Sequence, residues 1–324
     1  DRMKGIAKSS HQIRLPENAD NATFIAPTLF ELNNLNDLQR EVFGPILHVI
    51  RYRADELDQL IDQINAKGYA LTGGIHSRID GTVEHIRRGN VYVNRNIVGA
   101  VVGVQPFGGH GLSGTGPKAG GPFYLQRLSR LNSWRTPPLT RSGQADEDAL
   151  NRLQTLLQSL PLTQEQKLDL AGSLGRARVH TLRRAEQVLR GPTGEHNVLS
   201  WQAPKRVWLY GGSLPQACAA WIELAGSGIT ALVDSQHPLA AYASEAPDLL
   251  ETSATPASAD ISHVVALEEL PVEIKQALAG RDGALVRIIN APNGVDVLQL
   301  FEETSCSINT TAAGGNAHLM AAGD

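Results

Sequence analysis

The stretch Arg206-Val-Trp-Leu-Tyr-Gly-Gly-Ser-Leu-Pro-Gln-Ala-Cys-Ala-Ala-Trp-Ile-Glu-Leu-Ala-Gly-Ser-Gly-Ile-Thr-Ala-Leu-Val-Asp234 decides the fold class. Arg206–Tyr210 and Ile229–Val233 are short runs rich in β-branched and aromatic residues, and Leu214–Ala225 between them is a helix-length apolar segment. Strand, helix and strand joined by glycine turns make a βαβ unit, which sets two strands parallel and lays the helix on one face of the sheet. Gly211-Gly212 occupies the strand-to-helix turn, and Asp234 ends the next strand about twenty residues on, as in a dinucleotide fold. Pro215 stands where the third glycine belongs. A βαβ unit without a ligand is therefore the simpler reading, with nucleotide binding around Gly211 and Asp234 as the alternative.

The same alternation extends in both directions. Downstream, Ser262–Leu267 and Leu285–Ile289 read as strands around a helix near Val272–Ala279, and Ser305–Thr310 is strand-like, followed by a small-residue run with Gly314-Gly315. Upstream, Glu147–Leu160 and Thr163–Leu189 read as helices, Thr163 serving as N-cap, and together they look like an arm or spacer. Arg135–Gln144 is a linker. Nearer the start, Thr28–Leu32, Leu47–Tyr52, Leu71–His76 and Val91–Asn94 read as strands, with helices over Asp55–Lys67 and Asp80–Arg88. Gly68 and Gly89 end those helices.

Composition narrows the classes. The chain has 324 residues, 42% hydrophobic, a formal charge of −4 and 2 cysteines. Disordered, disulfide-framed and strongly basic nucleic-acid-binding proteins fit this poorly. No apolar run approaches the roughly 18 residues a membrane span needs. Arg176, Arg178, Arg183, Arg184 and Arg190, on the expected second helix and just past its end, have only Glu186 as an acidic residue among them, but without interleaved aromatics they read as a solvated face or a protein contact. The ten histidines show no metal-ligand spacing, so no metal site is expected. The first residue, Asp1, falls inside a run already rich in structural signals, which reads as a chain cut from something longer.

From Val98 to Gly121 the alternation stops, and nine of the 31 glycines fall here. That density marks a backbone with special dihedrals or a close approach to another molecule. Gly109-His-Gly-Leu-Ser-Gly114 matches G-x-G-x-x-G by letter, but Thr115-Gly116-Pro117 follows instead of a helix, so the phosphate-binding mechanism has no context. Upstream, Glu41-Val-Phe-Gly-Pro45 places a carboxylate before a Gly-Pro turn, where it could accept two ribose hydroxyls or be an ordinary surface glutamate.

Taken together, Phe24-Ile-Ala-Pro-Thr-Leu-Phe30, Glu41-Val-Phe-Gly-Pro45, Gly89-Asn-Val-Tyr-Val-Asn94 and Gln105-Pro-Phe-Gly-Gly109 resemble, in order and spacing, the catalytic domain of the aldehyde dehydrogenase superfamily. Within it, Asn94–Phe107 and Leu112–Pro122 are similar to the glutamate semialdehyde (pyrroline-5-carboxylate) dehydrogenase module of the bacterial bifunctional proline utilization family. Gly191-Pro-Thr-Gly-Glu-His-Asn197, the βαβ unit and Ser305–Asn316 resemble the C-terminal domain of its longer members. The resemblance implies an α/β fold in three parts. Residues 1–134 would be the C-terminal part of a catalytic domain, 135–196 a linker and helical arm, and 197–324 a degenerate, Rossmann-like aldehyde dehydrogenase fold with a terminal strand.

It also implies chemistry. Glu41 matches the glutamate on the nicotinamide ribose and Phe43 the aromatic beside the nicotinamide, which makes NAD the cofactor. Gly99 and Ala100 match the aldehyde anchor loop, whose backbone N–H groups hold the substrate α-carboxylate, and Phe107 matches the ring on the substrate's aliphatic part. Ala100 keeps the backbone donor of relatives that carry serine there but lacks the hydroxyl. Catalysis in the family uses a cysteine thiolate, hydride transfer to NAD⁺ and hydrolysis of a thioester by glutamate-activated water. Cys218 in an expected helix and Cys306 in the terminal strand read as buried thiols, so the nucleophile and general base are expected upstream of Asp1 and the isolated chain is expected to be inactive. The expected parent is cytoplasmic or peripheral at the inner membrane, oxidises proline with FAD in a separate module, acts on glutamate semialdehyde and forms a homo-oligomer. A lid or oligomerisation role for this chain is the alternative. No nucleic-acid partner is expected through this chain.

Overall fold

The computed structural model describes residues 2–16, 19, 23–77, 85–129 and 134–311. The helix expected over Asp80–Arg88 falls largely outside them, as does the run with Gly314-Gly315. The chain forms two compact units, one of residues 1–69 and 80–87, the other of 70–79 and 88–324.

In the first unit α1 (Arg2–Ile6) precedes β1 (Ser9–Gln12), which pairs antiparallel with β2 (Thr28–Leu32). β2 in turn runs parallel to β3 (Ile46–Ile50), Thr28 opposite Ile46. Met3, Phe30 and Leu32 form the core, since alternation along β2 sends Thr28, Phe30 and Leu32 inward. Helix α2 (Leu57–Ala66) follows a single 3₁₀ turn at Ala54–Glu56 and ends before Gly68, whose φ of +78° suits only glycine readily.

The second unit holds the short helix α3 (Tyr124–Leu128) and two five-stranded sheets. The opening βαβ stretch forms β8 (Arg206–Tyr210), α6 (Leu214–Gly226) and β9 (Thr230–Asp234) as expected. With β10 (Leu250–Ser253), β11 (His263–Ala266) and β12 (Arg287–Asn290) they build an all-parallel sheet in the order β10-β9-β8-β11-β12. Strand period sends Val207 and Leu209 to one face and Trp208 to the other. Helix α7 (Val272–Ala279) covers the Trp208 face through Leu278. Three helices cover the opposite face. Two of them, α4 (Glu147–Ser159) and α5 (Gln164–Val179), are the segments read as an arm, and the structure corrects that reading. Leu150, Leu153, Leu157, Leu170 and Leu174 share one core with Trp221 and Val233, because the leucine stripe of α4 has nowhere else to bury its apolar area.

The second helix is also shorter than its periodicity predicts. Thr163 caps it as expected, accepting from the Gln166 N–H at 3.2 Å, but it stops at Val179 instead of running to Leu189. Leu182 and Ala185 turn into a separate core with Trp134, Phe123, Leu199 and Trp201, and Glu186–Leu189 becomes strand β6. Tertiary pairing overrides helix propensity here. The arginine row is broken up accordingly: Arg176 pairs with Glu223 at 3.2 Å, Arg178 with Glu147 at 3.1 Å and Arg183 with Asp146 at 3.2 Å.

The other sheet joins segments from both ends of the sequence. β4 (Thr72–Ile75) and β5 (Asn90–Val93) are parallel, while β6 and β7 (Glu195–Gln202) form a hairpin across the Gly191–Gly194 turn. Strand β13 (Glu302–Asn309) lies between them, parallel to β5 with Ser305 opposite Asn90, and antiparallel to β7 over eight residue pairs from Glu302–Gln202 to Asn309–Glu195. If α4 is a core element and not a spacer, Leu153→Ala will lower the unfolding free energy by about 2–5 kcal/mol in a denaturant titration. A loss below about 1 kcal/mol, typical of surface sites, would contradict that placement.

Candidate functional site

Glu41 and Phe43 lie in the first unit, in the turn that enters β3. Gly44 adopts φ +131°, and its carbonyl accepts from the Ile46 N–H at 2.8 Å, which turns the chain sharply into the strand. The turn leaves Phe43 92% exposed. A phenyl ring held in water is an apolar face without a partner. Glu41 is exposed beside it, and its carboxylate takes no hydrogen bond among the described residues.

Gly99, Ala100 and Phe107 lie in the second unit, in the glycine-rich segment after β5. Gly99 (φ +74°) and Gly103 (φ +80°) fold residues 98–105 into a compact loop whose Val98 and Val102 face solvent. Within it the Gln105 N–H donates to the Val101 carbonyl at 2.9 Å, and the Val101 N–H donates to Gln105 Oε1 at 3.0 Å. The N–H groups of Gly99 and Ala100 donate to no acceptor among the described residues, and the space where a Gly99 Cβ would stand is open. Two adjacent amides without a protein acceptor among the described residues, one of them on a positive-φ glycine, are the kind of donors a backbone anion site uses.

Phe107 is fixed from below. Its N–H and carbonyl exchange hydrogen bonds with Ala119 at 3.0 and 2.9 Å. Asn90, buried on β5, donates to the Pro106 carbonyl at 2.9 Å and accepts from the Gly108 N–H at 3.2 Å. Lys118 is buried too: its Nζ donates to Asn90 Oδ1 at 3.0 Å and to the Gly108 carbonyl, while its backbone N–H donates to Glu303 Oε2 at 2.6 Å. Burial pushes the Glu303 carboxyl up to about 7, with Lys118 partly opposing, and pulls the Lys118 ammonium down to about 8, with Glu303 partly opposing.

A second polar cluster, missed in the sequence, clamps the loop itself. Gln105 Nε2 donates to Ser307 Oγ at 2.8 Å, to Asn197 Oδ1 at 3.2 Å and to Glu195 Oε2 at 3.4 Å. Arg95 pairs with Glu195 and donates to Ser307 Oγ at 3.1 Å. Alternation in β13 holds the signal for both clusters: Glu303, Ser305 and Ser307 share its buried face, where an ordinary core strand carries apolar residues.

The two glycine motifs resolve differently from a dinucleotide site. In Gly109–Gly114 the chain doubles back, so that a Cβ on Gly109 would lie 2.7 Å from Ser113 Cβ and one on Gly114 2.8 Å from the Gly109 carbonyl. Tight packing of the loop on itself accounts for those glycines. At Gly211 the Glu268 side chain packs against the turn: a Cβ there would lie 2.3 Å from Glu268 Cγ. Ser213 and Gln216 close a capping box, the Ser213 N–H donating to Gln216 Oε1 at 3.0 Å. A carboxylate beside a self-capped helix start repels a phosphate.

Burial pushes each cysteine thiol up to about 12, Cys218 inside α6 and Cys306 on β13. Among the described residues no group of three or more histidine, cysteine or acidic side chains could hold a metal ion, and no helix is long and apolar enough to cross a membrane.

The model of the aldehyde dehydrogenase family matches residues 4–133. Over its whole length the chain is similar to the bifunctional protein PutA of Rhizobium meliloti, 40% identical, with all of this chain but 27% of that protein covered. The 1-pyrroline-5-carboxylate dehydrogenase of Bacillus subtilis is 41% identical over 32% of this chain and 21% of that enzyme. Among solved structures, Proline Utilization A from Corynebacterium freiburgense superposes with a TM-score of 0.62 at 22% identity, over 95% of this chain and 30% of that one. That likeness shows a shared fold. The chain spans about a quarter of the length of the PutA relatives it matches. The matched segment ends before α4, and the βαβ sheet follows it.

The buried Glu303 gives a pH test. Its folded-state pKa is raised from the usual 4.5 to about 7, so its contribution is most favourable below pH 4.5 and is lost as pH rises toward 7. Glu303→Gln keeps the acceptor for the Lys118 N–H and removes the titration. Wild type is expected to lose stability relative to Glu303→Gln between pH 4.5 and 7 in paired thermal melts, and a constant difference across that range would refute the assignment.

Proposed function

We propose that this chain supplies the ribose-binding and carboxylate-anchoring parts of an NAD-dependent L-glutamate γ-semialdehyde dehydrogenase within a longer bifunctional proline-catabolic enzyme. The free Gly99 and Ala100 amides carry the reading, because a substrate ending in an α-amino acid carboxylate needs such a donor pair. The anchor loop holds the carboxylate, and Phe107 packs on the methylene carbons between carboxylate and aldehyde. In the first unit, Glu41 accepts the ribose hydroxyls and the exposed Phe43 is covered by the nicotinamide ring, which fits an exposed phenyl and a carboxylate that takes no hydrogen bond among the described residues. Bound NAD⁺ supplies the hydride acceptor.

The chain's own thiols stay protonated at neutral pH, so the covalent step belongs to a cysteine outside residues 1–324. Proline oxidation with FAD belongs to another module of the same enzyme. The similarity to PutA over the whole chain and to a 1-pyrroline-5-carboxylate dehydrogenase over the catalytic segment supports this substrate class.

NADH absorbance tests the proposal. The full-length protein should reduce NAD⁺ with glutamate semialdehyde, and the 324-residue chain alone should not. Glu41→Ala should raise the KM for NAD⁺ about 10- to 100-fold, the equivalent of one charge-assisted hydrogen-bond pair. Turnover by the isolated chain, or an unchanged KM for NAD⁺ in Glu41→Ala, would sink the assignment.

A further inference from the structure

We infer that Ser307, on the terminal strand β13, is a positioning residue for the carboxylate anchor loop and acts through Gln105; this rests on the function proposed above. The chain of contacts is short and buried. The Ser307 hydroxyl has one proton and donates it to Asn197 Oδ1 at 2.5 Å. Toward Gln105 it can then only accept, at 2.8 Å. That commits the Gln105 amide nitrogen to the strand side and aims Oε1 at the Val101 N–H, 3.0 Å away.

Capturing the Val101 N–H sets the turn over residues 101–105 and leaves the next two amides toward the N-terminus, Ala100 and Gly99, pointing away from protein acceptors. Asn197 reinforces the direction of the clamp, since its Oδ1 accepts from Gln105 at 3.2 Å and its Nδ2 donates to Glu195 at 3.3 Å. Gln105, Asn197 and Ser307 are 4%, 1% and 1% exposed, so water cannot replace a lost partner. The loop that contacts substrate is thus oriented by residues 90 or more positions away in sequence.

Kinetics on the full-length protein and amide exchange on the 324-residue chain test this separately. Ser307→Ala should raise the KM for glutamate semialdehyde about tenfold, with kcat changed less than about twofold and the KM for NAD⁺ unchanged. Ser307→Thr, which retains the hydroxyl, should restore most of the difference. In the chain alone, Ser307→Ala should speed hydrogen exchange at the Val101 amide at least about tenfold while amides of β8 and β9 keep their protection. An unaltered semialdehyde KM, or equal losses in every kinetic parameter, overturns the positioning role. Unchanged Val101 exchange overturns the clamp itself, whatever the substrate. If the wild-type enzyme does not oxidise the semialdehyde but Val101 exchange responds, the clamp stands and the substrate assignment fails. Should Ser307→Ala not fold, Ser307→Cys, whose sulfur is only a weak acceptor and which leaves Gln105 in place, is read in the same way.

Discussion

Strand β13 is the constraint on which the second unit depends. It pairs parallel with β5 on one side and antiparallel with β7 on the other, closing one sheet from segments distant in sequence. Without it, β5 would expose a hydrogen-bonding edge and the β6–β7 hairpin would stand alone, and an isolated hairpin has marginal stability in water. The closure entropy of so long a loop grows only slowly with length, so eight paired residues and the flanking aromatic cluster of Phe123, Trp134 and Trp201 can offset it.

What β13 brings to the sheet is unusual in kind. Its buried face is Glu303, Ser305 and Ser307. An apolar strand would hold the sheet with less desolvation cost, since burying a carboxylate and an ammonium is repaid only when both find good partners. The polar face instead gives direction. Glu303 takes the Lys118 N–H and Ser307 takes the Gln105 amide, so two points of the glycine-rich segment, on either side of Phe107, are tied to one strand. A loop whose valines face solvent has little apolar burial to set its shape, and directional hydrogen bonds from a rigid element can do so.

The two glycine motifs show how context outweighs letters. Gly109–Gly114 fits the dinucleotide pattern in full and lacks the helix, while Gly211-Gly212 has the helix and lacks the pattern. At Gly211 the missing glycine was legible, but the replacement was not: Glu268, far along the chain, fills the space and supplies a repelling charge. Similarly, Cys218 and Cys306 could be read as buried thiols from their places in a helix and a strand, whereas the size of their shift follows from three-dimensional burial.

Local pattern in the amino-acid sequence determined the α/β class, nearly every strand of the parallel sheet, the capping of α5 by Thr163 and the glycine-rich segment from Val98 to Gly121, because period, caps and turn residues act over a few positions. The short strand at Leu250–Ser253 has no counterpart in the sequence pattern, and the leucine-striped α4 and α5 read as a spacer, since an amphipathic stripe does not name its partner. The turn Gly191-Pro-Thr-Gly194 already marked a break between two β-capable runs, yet helix periodicity through Leu189 masked the first of them. Only the tertiary structure placed β13 between β5 and β7 and set Ser307 against Gln105, 202 positions apart. Pairing at that distance is decided by which edges and buried polar groups remain unsatisfied once the local elements have formed, and no window of sequence contains that information.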